Sequence, residues 1–360
     1  MKVLHTPYGR ENPYQDMLIA SLKQNNVEVY TGNVCSYFSL IKAVRNQVRP
    51  DVIHLHWAHL FILADTRMKT IIKSVSFLFE LLALRLCGIK IVWTIHNLVS
   101  HESPFPELEM AVNRSICLLC NRLIVHSISA KNEIIAKYKI TMVSSIRVIA
   151  HGNYIGYYEN KINQNEAREQ LGLQPDDRVF LYFGAIRSYK GVPDLIDAFN
   201  KLATKASTGK RAKLLIVGAP YDDKIYKETI TTIGDNDGIL AVLRYIDDKE
   251  VQIYMNATDI VVLPFKRLLT TSSAILAMSF GKPVVAPLIG SIPDILDSKG
   301  GFLYAITQRD GLLNAMRQAL ETGQNELNAM SQHNLEKIKD YTWDNAGRDT
   351  YNVYLECLKK

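Results

Sequence analysis

The feature that most constrains the fold is the alternation, along almost the whole chain, of short apolar runs with amphipathic stretches. In the first half, KVLHTP (2–7), VEVYT (27–31), DVIHLHW (51–57), KIVWTIH (90–96), RLIVHS (122–127) and IRVIAHG (146–152) read as strands. Residues 14–24 and 68–87 read as helices between them. Strands this uniformly apolar are buried on both faces, which a parallel sheet covered by helices provides. Residues 153–177 are polar and turn-rich and break the rhythm. It then restarts with RVFLYFG (178–184), AKLLIVG (212–218), GILAVLRY (238–245), DIVVLPF (259–265) and KPVVAP (282–287). The expected architecture is α/β, two Rossmann-like doubly wound parallel-sheet domains joined near residue 155, and 360 residues suit two such domains.

Charge is distributed unevenly. Residues 1–155 carry 17 Lys and Arg against 10 Asp and Glu, so the chain's whole surplus of +6 belongs to the first half. An anionic partner for that half follows, a membrane surface rather than nucleic acid, because no recognition helix, zinc finger or aromatic RNA-binding pattern accompanies the charge. Residues 66–90 place Arg67, Lys69, Lys73, Arg85 and Lys90 around a Phe- and Leu-rich helix. Such a helix suits a membrane interface, and equally an ordinary buried α/β helix with basic ends. No uncharged apolar run is long enough to span a bilayer, and the N-terminus reads as a strand rather than a signal peptide. The five cysteines, Cys35, Cys87, Cys117, Cys120 and Cys357, show no regular spacing, and the Cys117–Cys120 pair reads as helix thiols. The expected location is cytoplasmic, peripheral at the inner face of the cytoplasmic membrane.

In parallel sheets, ligands bind beyond the carboxyl ends of the strands. The segment LYFGAIRSYKGVPDLIDAFNKL (181–202) ends a strand at Gly184, then presents Arg187 and Lys190 before Gly191 and a helix. Two cations beside a helix N-terminus suit a diphosphate: Arg forks to two oxygens and Lys adds a point charge. The plain alternative is a solvated turn. Further on, Thr270, Thr271, Ser272 and Ser273 open another helix, as an N-cap or as phosphate ligands.

The motif FGAIRSYKG, a Gly, five intervening residues and then Lys-Gly, resembles the donor loop of the GT-B glycosyltransferases of family four (glycosyl transferases group 1). The resemblance continues through VLPFKRLLTTSSAILAMSFGKPVVAP (262–287), VIAHGN (148–153) and the closing segment YTWDNAGRDTYNVYLECL (341–358). It implies an N-terminal acceptor-binding domain, 1–155, to which 344–360 cross back, and a C-terminal nucleotide-sugar donor-binding domain, 156–343, the two facing a cleft. It implies that Lys190 and Arg187 hold the donor diphosphate, Arg187 being displaced from the family position, where Ala185 stands. Tyr245 and Ile246 would lie near the nucleobase, and Gly218 and Gly9 near the nucleotide or its phosphates. Most members carry two glutamates eight apart in the second donor loop, where this chain has Leu268 and Leu276. This resembles an exopolysaccharide-type subgroup and the β-mannosyltransferases of lipid-linked glycan assembly, and it leaves retention and inversion both open.

In the first half, His96 ends a strand at the position of the family's cleft histidine, and Glu102 follows in the next loop. Asp16, Glu11, Glu102 and His96 are the candidate bases for the acceptor hydroxyl. Tyr14 and His126 are candidates for acceptor binding. His54 and His56 alternate with apolar residues and lack further ligands as a metal pair, so no metal and no cofactor is expected. The resulting expectation is a metal-independent hexosyltransferase. It would move a sugar from GDP-mannose or a UDP-hexose to a glycan or polyprenyl-diphosphate-linked acceptor in polysaccharide synthesis. The alternatives are a UDP-sugar epimerase of the same architecture and a non-catalytic nucleotide-sugar-binding partner.

Overall fold

The computed structural model describes residues 1–9, 13–33, 37–46, 49–202 and 209–359; Glu11 and Cys35 lie outside them. The chain forms two compact units, Met1–Gly152 with Tyr341–Lys360, and Asn153–Asp340.

The first unit contains strands β1 (Lys2–Thr6), β2 (Glu28–Thr31), β3 (Val52–Leu55), β4 (Lys90–Thr94), β5 (Arg122–Val125) and β6 (Ile146–Val148). They form one parallel sheet in the order β2-β1-β3-β4-β5-β6, which reverses direction between β1 and β3. Helix Tyr14–Gln24 covers one face with Tyr14, Leu18 and Leu22, and the last helix, Trp343–Leu358, packs beside it through Ala346, Val353 and Tyr354. Two glycines permit that contact. A Cβ on Gly347 would fall 2.1 Å from Ser21 Oγ, and one on Gly152 would fall 2.3 Å from the Trp343 ring. The Gly152–Trp343 contact holds both the end of the first segment and the start of the returning one, so the units divide at 152/153 and 340/341 instead of 155/156 and 343/344.

The second unit contains β7 (Arg178–Phe183), β8 (Ala212–Val217), β9 (Ile239–Val242), β10 (Ile260–Val262), β11 (Val284–Pro287) and β12 (Gly301–Tyr304), all parallel in the order β12-β11-β10-β7-β8-β9. Its direction reverses between β10 and β7, the doubly wound arrangement whose ligands sit at the reversal. Two elements escaped the sequence pattern. β12 hides behind Gly300 and Gly301, where a Cβ on Gly301 would fall 2.7 Å from Val284 O. The helix Gln164–Gln170 lies inside the polar stretch that reads as a break. A capping box between Asn163 and Glu166 starts it, and a buried Arg168–Asp259 ion pair at 2.8 Å fastens it, so it needs little apolar surface.

Candidate active site

In the second unit the reversal point is built from glycines. β7 ends at Gly184 (φ 130°) and β8 at Gly218 (φ 144°), where a Cβ would fall 2.1 Å from Gly184 O. The two strand ends therefore run in direct backbone contact. An Ile186–Pro220 bridge continues their pairing, so the chain around the fully buried Ile186 is fixed just where Arg187 leaves it. A short turn, Ser188–Lys190, leads to Gly191 (φ 71°), whose missing Cβ would fall 2.1 Å from Pro264 O. Lys266 N donates to Tyr189 O at 2.9 Å, tying this turn to the loop after β10.

Both cations rest on aromatic rings. The Arg187 guanidinium carbon lies 4.5 Å from the Tyr221 ring centroid, and Lys190 Nζ lies 5.7 Å from that of Phe265. Lys190 Nζ is also 3.3 Å from where a Gly184 Cβ would stand, so the ammonium hangs over the bare glycine at the end of β7. The helix Ser272–Ser279 starts from the same loop system. Thr271 is its N-cap, accepting from Ser273 N at 3.1 Å, and Thr270 and Ser272 flank it. The backbone of Leu268 is pinned against Gly290 (φ 51°), where a Cβ would fall 2.4 Å from Leu268 O. Arg187, Lys190 and Thr270–Ser273 are thus brought to the carboxyl ends of the two central strands, where helix N-termini add positive potential. Leu276 is buried within that helix. Tyr245 is 64% exposed on the loop after β9, whereas the Ile246 side chain is buried and presents only its backbone.

The first unit gathers rings at the corresponding strand ends. The loop after β1 begins with a cis Thr6–Pro7 bond and is held by the fully buried Gln15, which accepts from Gly9 N at 2.9 Å and donates to Pro7 O at 3.0 Å. Tyr8 OH donates to the exposed Asp16 carboxylate. Tyr14 is the hub. Its ring centroid lies 5.0 Å from His96, 5.4 Å from His126, 5.1 Å from His151 and 5.5 Å from Trp343. His96, His126 and His151 follow the ends of β4, β5 and β6. His126 Nδ1 donates to Ile149 O at 2.9 Å, which leaves Nε2 as a buried lone pair without a hydrogen-bond partner among the described residues. Burial pushes His126 down to about 4 and His151 to about 3, so both are neutral at physiological pH. Glu102 stands exposed in the turn after Ser100.

The sequence reading missed the extent of this cluster. His54 and His56 do have a third imidazole near them, from His5 on the neighbouring strand, with ligand atoms within 4.8 Å of one another. The nitrogens already form hydrogen bonds. His54 bonds Thr94 Oγ1 at 2.7 Å and Tyr354 OH at 2.6 Å, and His5 bonds Tyr354 OH at 3.1 Å and His56 at 3.1 Å. His56 reaches on to His96 at 3.3 Å. That every one of these histidines sits in or just after a strand was legible; that Tyr354, some 300 residues on, closes the chain was not. Beside His96, a cavity of about 20 Å³ has room for one water and is lined by Glu109 and Asn113, whose Oδ1 is buried without a partner among the described residues.

Residues 163–337 match the family model "Glycosyl transferases group 1". The GDP-mannose:glycolipid 4-beta-D-mannosyltransferase of Xanthomonas campestris pv. campestris is 29% identical over 327 residues, covering 90% of this chain and 84% of that protein. The family match and this relative support a GT-B group 1 glycosyltransferase. A D-inositol 3-phosphate glycosyltransferase of Corynebacterium aurimucosum is 22% identical over 287 residues, covering 76% of this chain and 68% of that protein. Solved structures share the GT-B fold. Sucrose-phosphate synthase from Thermosynechococcus elongatus superposes with a TM-score of 0.76 at 17% identity, covering 99% of this chain and 98% of that one. Anabaena HepE in complex with UDP and glucose gives 0.72 at 18% identity, covering 99% and 100%. The family match spans the loop Gly184–Gly191 and the helix start Thr270–Ser273.

Proposed function

We propose that this enzyme transfers a hexosyl group, mannose from GDP-mannose first among the donors, to a glycolipid acceptor with inversion and without a metal. The carrying observation is the β7/β10 reversal point, where Arg187 and Lys190 are fixed on rings beside a helix N-terminus. In the reaction the acceptor oxygen bonds to the anomeric carbon while the bond from that carbon to the β-phosphate oxygen breaks. Its electron pair leaves with the nucleoside diphosphate. Arg187, Lys190 and the Ser272–Ser279 N-terminus oppose that growing charge, the task a metal serves elsewhere. The acceptor proton passes to a base on the first unit, from the candidates Asp16, Glu102 and His96. Leu268 and Leu276 leave the second donor loop without the family's carboxylates, which favours a single displacement; the beta-mannosyl transfer to a glycolipid for which the Xanthomonas relative is named supports this choice.

A membrane surface is the proposed setting. Helix Arg67–Leu86 turns Met68, Ile72, Val75, Phe79, Leu82 and Leu86 outward, each at least 44% exposed and recurring at helical spacing. Lys69 and Arg67 flank the stripe. Lys73 does not join them, since its Nζ donates to Leu63 O at 2.7 Å. No described helix is long and apolar enough to cross a bilayer. A face of this kind suits adsorption to an anionic lipid surface, where a lipid-linked acceptor would be found.

The test is transfer from radiolabelled GDP-mannose to a mannose-accepting glycolipid, with and without EDTA, followed by NMR of the product. The expected outcome is an EDTA-resistant, β-linked product from the α-linked donor. Transfer from UDP-hexoses alone, or an α-linked product, overturns the corresponding part of the proposal.

A further inference from the structure

The second unit holds a cavity of about 320 Å³ that no step above uses. Its walls are the helices Val192–Lys201 and Gly311–Glu321, the loop after β10 and the residues after β12. Helical spacing puts Asp194, Asp197 and Lys201 on one face of the first helix, and all three line the cavity. At the start of the second helix, Gly311 admits the Tyr304 ring, since a Cβ there would fall 3.0 Å from it. Asp194 is paired with Lys266 at 2.9 Å. By contrast, the side chains of Asp197, Lys201 and Gln308 and the Tyr304 hydroxyl have no hydrogen-bond or ion-pair partner among the described residues. Four polar groups around one cavity are therefore available to a ligand.

The chemistry of the lining narrows what that ligand is. Small-molecule sites enclose about 300–1,000 Å³ and combine apolar walls with a few convergent polar groups, and this cavity falls at the small end. Asp194, Asp197 and Asp310 outnumber Lys201 and Lys266 there, which works against a phosphate or carboxylate ligand. Nor do these carboxylates form a cation site. Among the described residues, only His5, His54 and His56 of the first unit lie close enough together to hold a metal ion. Carboxylate accepts, ammonium donates, and phenol and amide do both, so the lining asks for neutral groups that donate and accept in turn. Phe265, Leu312 and Leu313 add apolar surface beside them. Sugar hydroxyls on an apolar ring meet both demands.

We propose that this cavity is a second saccharide-binding site, which takes one or two neutral sugar units of a glycan and is coupled to the donor turn. The coupling runs through the wall they share. Pro264 O meets the bare Gly191, the Phe265 ring carries Lys190, and Lys266 N donates to Tyr189 O, while the Lys266 ammonium reaches Asp194 at the cavity. A sugar packed on Pro264–Lys266 holds in place the loop against which the diphosphate turn is clamped. Each ligand therefore tightens the other, and by the same factor. The coupling rests on the proposed seat of GDP, and the proposed glycosyl transfer supplies the saccharide; the cavity and its free polar groups depend on neither.

Ile306 lines the cavity and is 48% exposed, so its Cδ1 methyl is a local probe. The test titrates mannobiose, cellobiose and maltose into protein labelled with ¹³C at isoleucine Cδ1, with Ile306→Val assigning the signal. At least one disaccharide is expected to shift the Ile306 methyl saturably. Saturating GDP should keep that shift and lower its midpoint. Asp197→Ala removes an exposed carboxylate and should weaken binding about tenfold or more, and Tyr304→Phe should weaken it severalfold, both with the parent's circular dichroism. No shift from any of the three sugars, an equal shift from inorganic phosphate, displacement by GDP, or a midpoint unchanged in both variants each overturns the site. A midpoint indifferent to GDP overturns the coupling. The titration needs no turnover, so absence of transfer by the parent enzyme would count against the proposed donor and acceptor and leave this result standing.

Discussion

Lowering the pH from 7.5 to 5.5 should destabilise the first unit far more than the second. Eight of the nine histidines lie between His5 and His151. Of these, His5, His54, His56, His126 and His151 are buried and held neutral, burial being the largest cause in each case. The folded-state value is depressed while an unfolded histidine titrates near 6.5, so in the window between them the unfolded chain binds protons that the folded chain refuses. Stability contributed by these groups is complete above pH 6.5 and is lost as pH falls below it. At pH 5.5, one unit below the unfolded value, each group costs on the order of 1 kcal/mol and the five together several kcal/mol, against typical domain stabilities of about 5–15 kcal/mol. The three tryptophans, Trp57, Trp93 and Trp343, all belong to the first unit, so their fluorescence reports on it selectively. Chemical denaturation followed by tryptophan fluorescence at pH 7.5, 6.5 and 5.5 should show an early transition that moves steeply to lower denaturant below pH 6.5. A tryptophan midpoint unchanged between pH 7.5 and 5.5 would refute the buried, neutral state of the cluster.

Two further perturbations probe other parts of the molecule. Gly191→Ala must hold a left-handed backbone and place a methyl 2.1 Å from Pro264 O; the backbone term alone costs about 1–2 kcal/mol, so a lowered Tm with weakened GDP binding is expected, and a neutral result would show that the phosphate turn is not clamped to the loop after β10. Co-sedimentation with phosphatidylglycerol vesicles should weaken at least about tenfold in Phe79→Asp, since burying such a side chain is worth about 1.5–3 kcal/mol, and about fivefold in Lys69→Ala; equal binding by parent and Phe79→Asp would return the helix to a plain surface role.

Much of this molecule is legible in the sequence because a parallel sheet writes itself as apolar runs. Eleven strands were recognisable, and the helix Tyr14–Gln24 falls on the expected residues. What escaped was held by other forces. β12, Gly-Phe-Leu-Tyr, is a glycine-led edge strand only four residues long, and Gln164–Gln170 is a polar helix fixed by a cap and a buried ion pair. Arg187 and Lys190 were readable as a pair of cations, but their seats on Tyr221 and Phe265 depend on close backbone approaches at Gly191 and Gly218 that spacing does not encode. The histidine string was hidden for a different reason. Its members are spread over β1, β3, β4 and the last helix, and only the sheet order and the returning C-terminal helix bring Tyr354 between His5 and His54. His126, read as an acceptor contact, turns out to have its Nδ1 committed to the backbone, which the sequence could not reveal.

The central claim is that the donor diphosphate is held by Arg187 and Lys190 at the ends of β7 and β10. Calorimetric titration of GDP into the parent protein, Arg187→Ala and Lys190→Ala tests it most directly. A charge-assisted hydrogen bond is worth about 1.5–3 kcal/mol, so each variant should bind GDP about tenfold or more weakly while keeping the parent's circular dichroism and Tm. Both variants binding GDP as tightly as the parent would place the donor elsewhere and contradict the account.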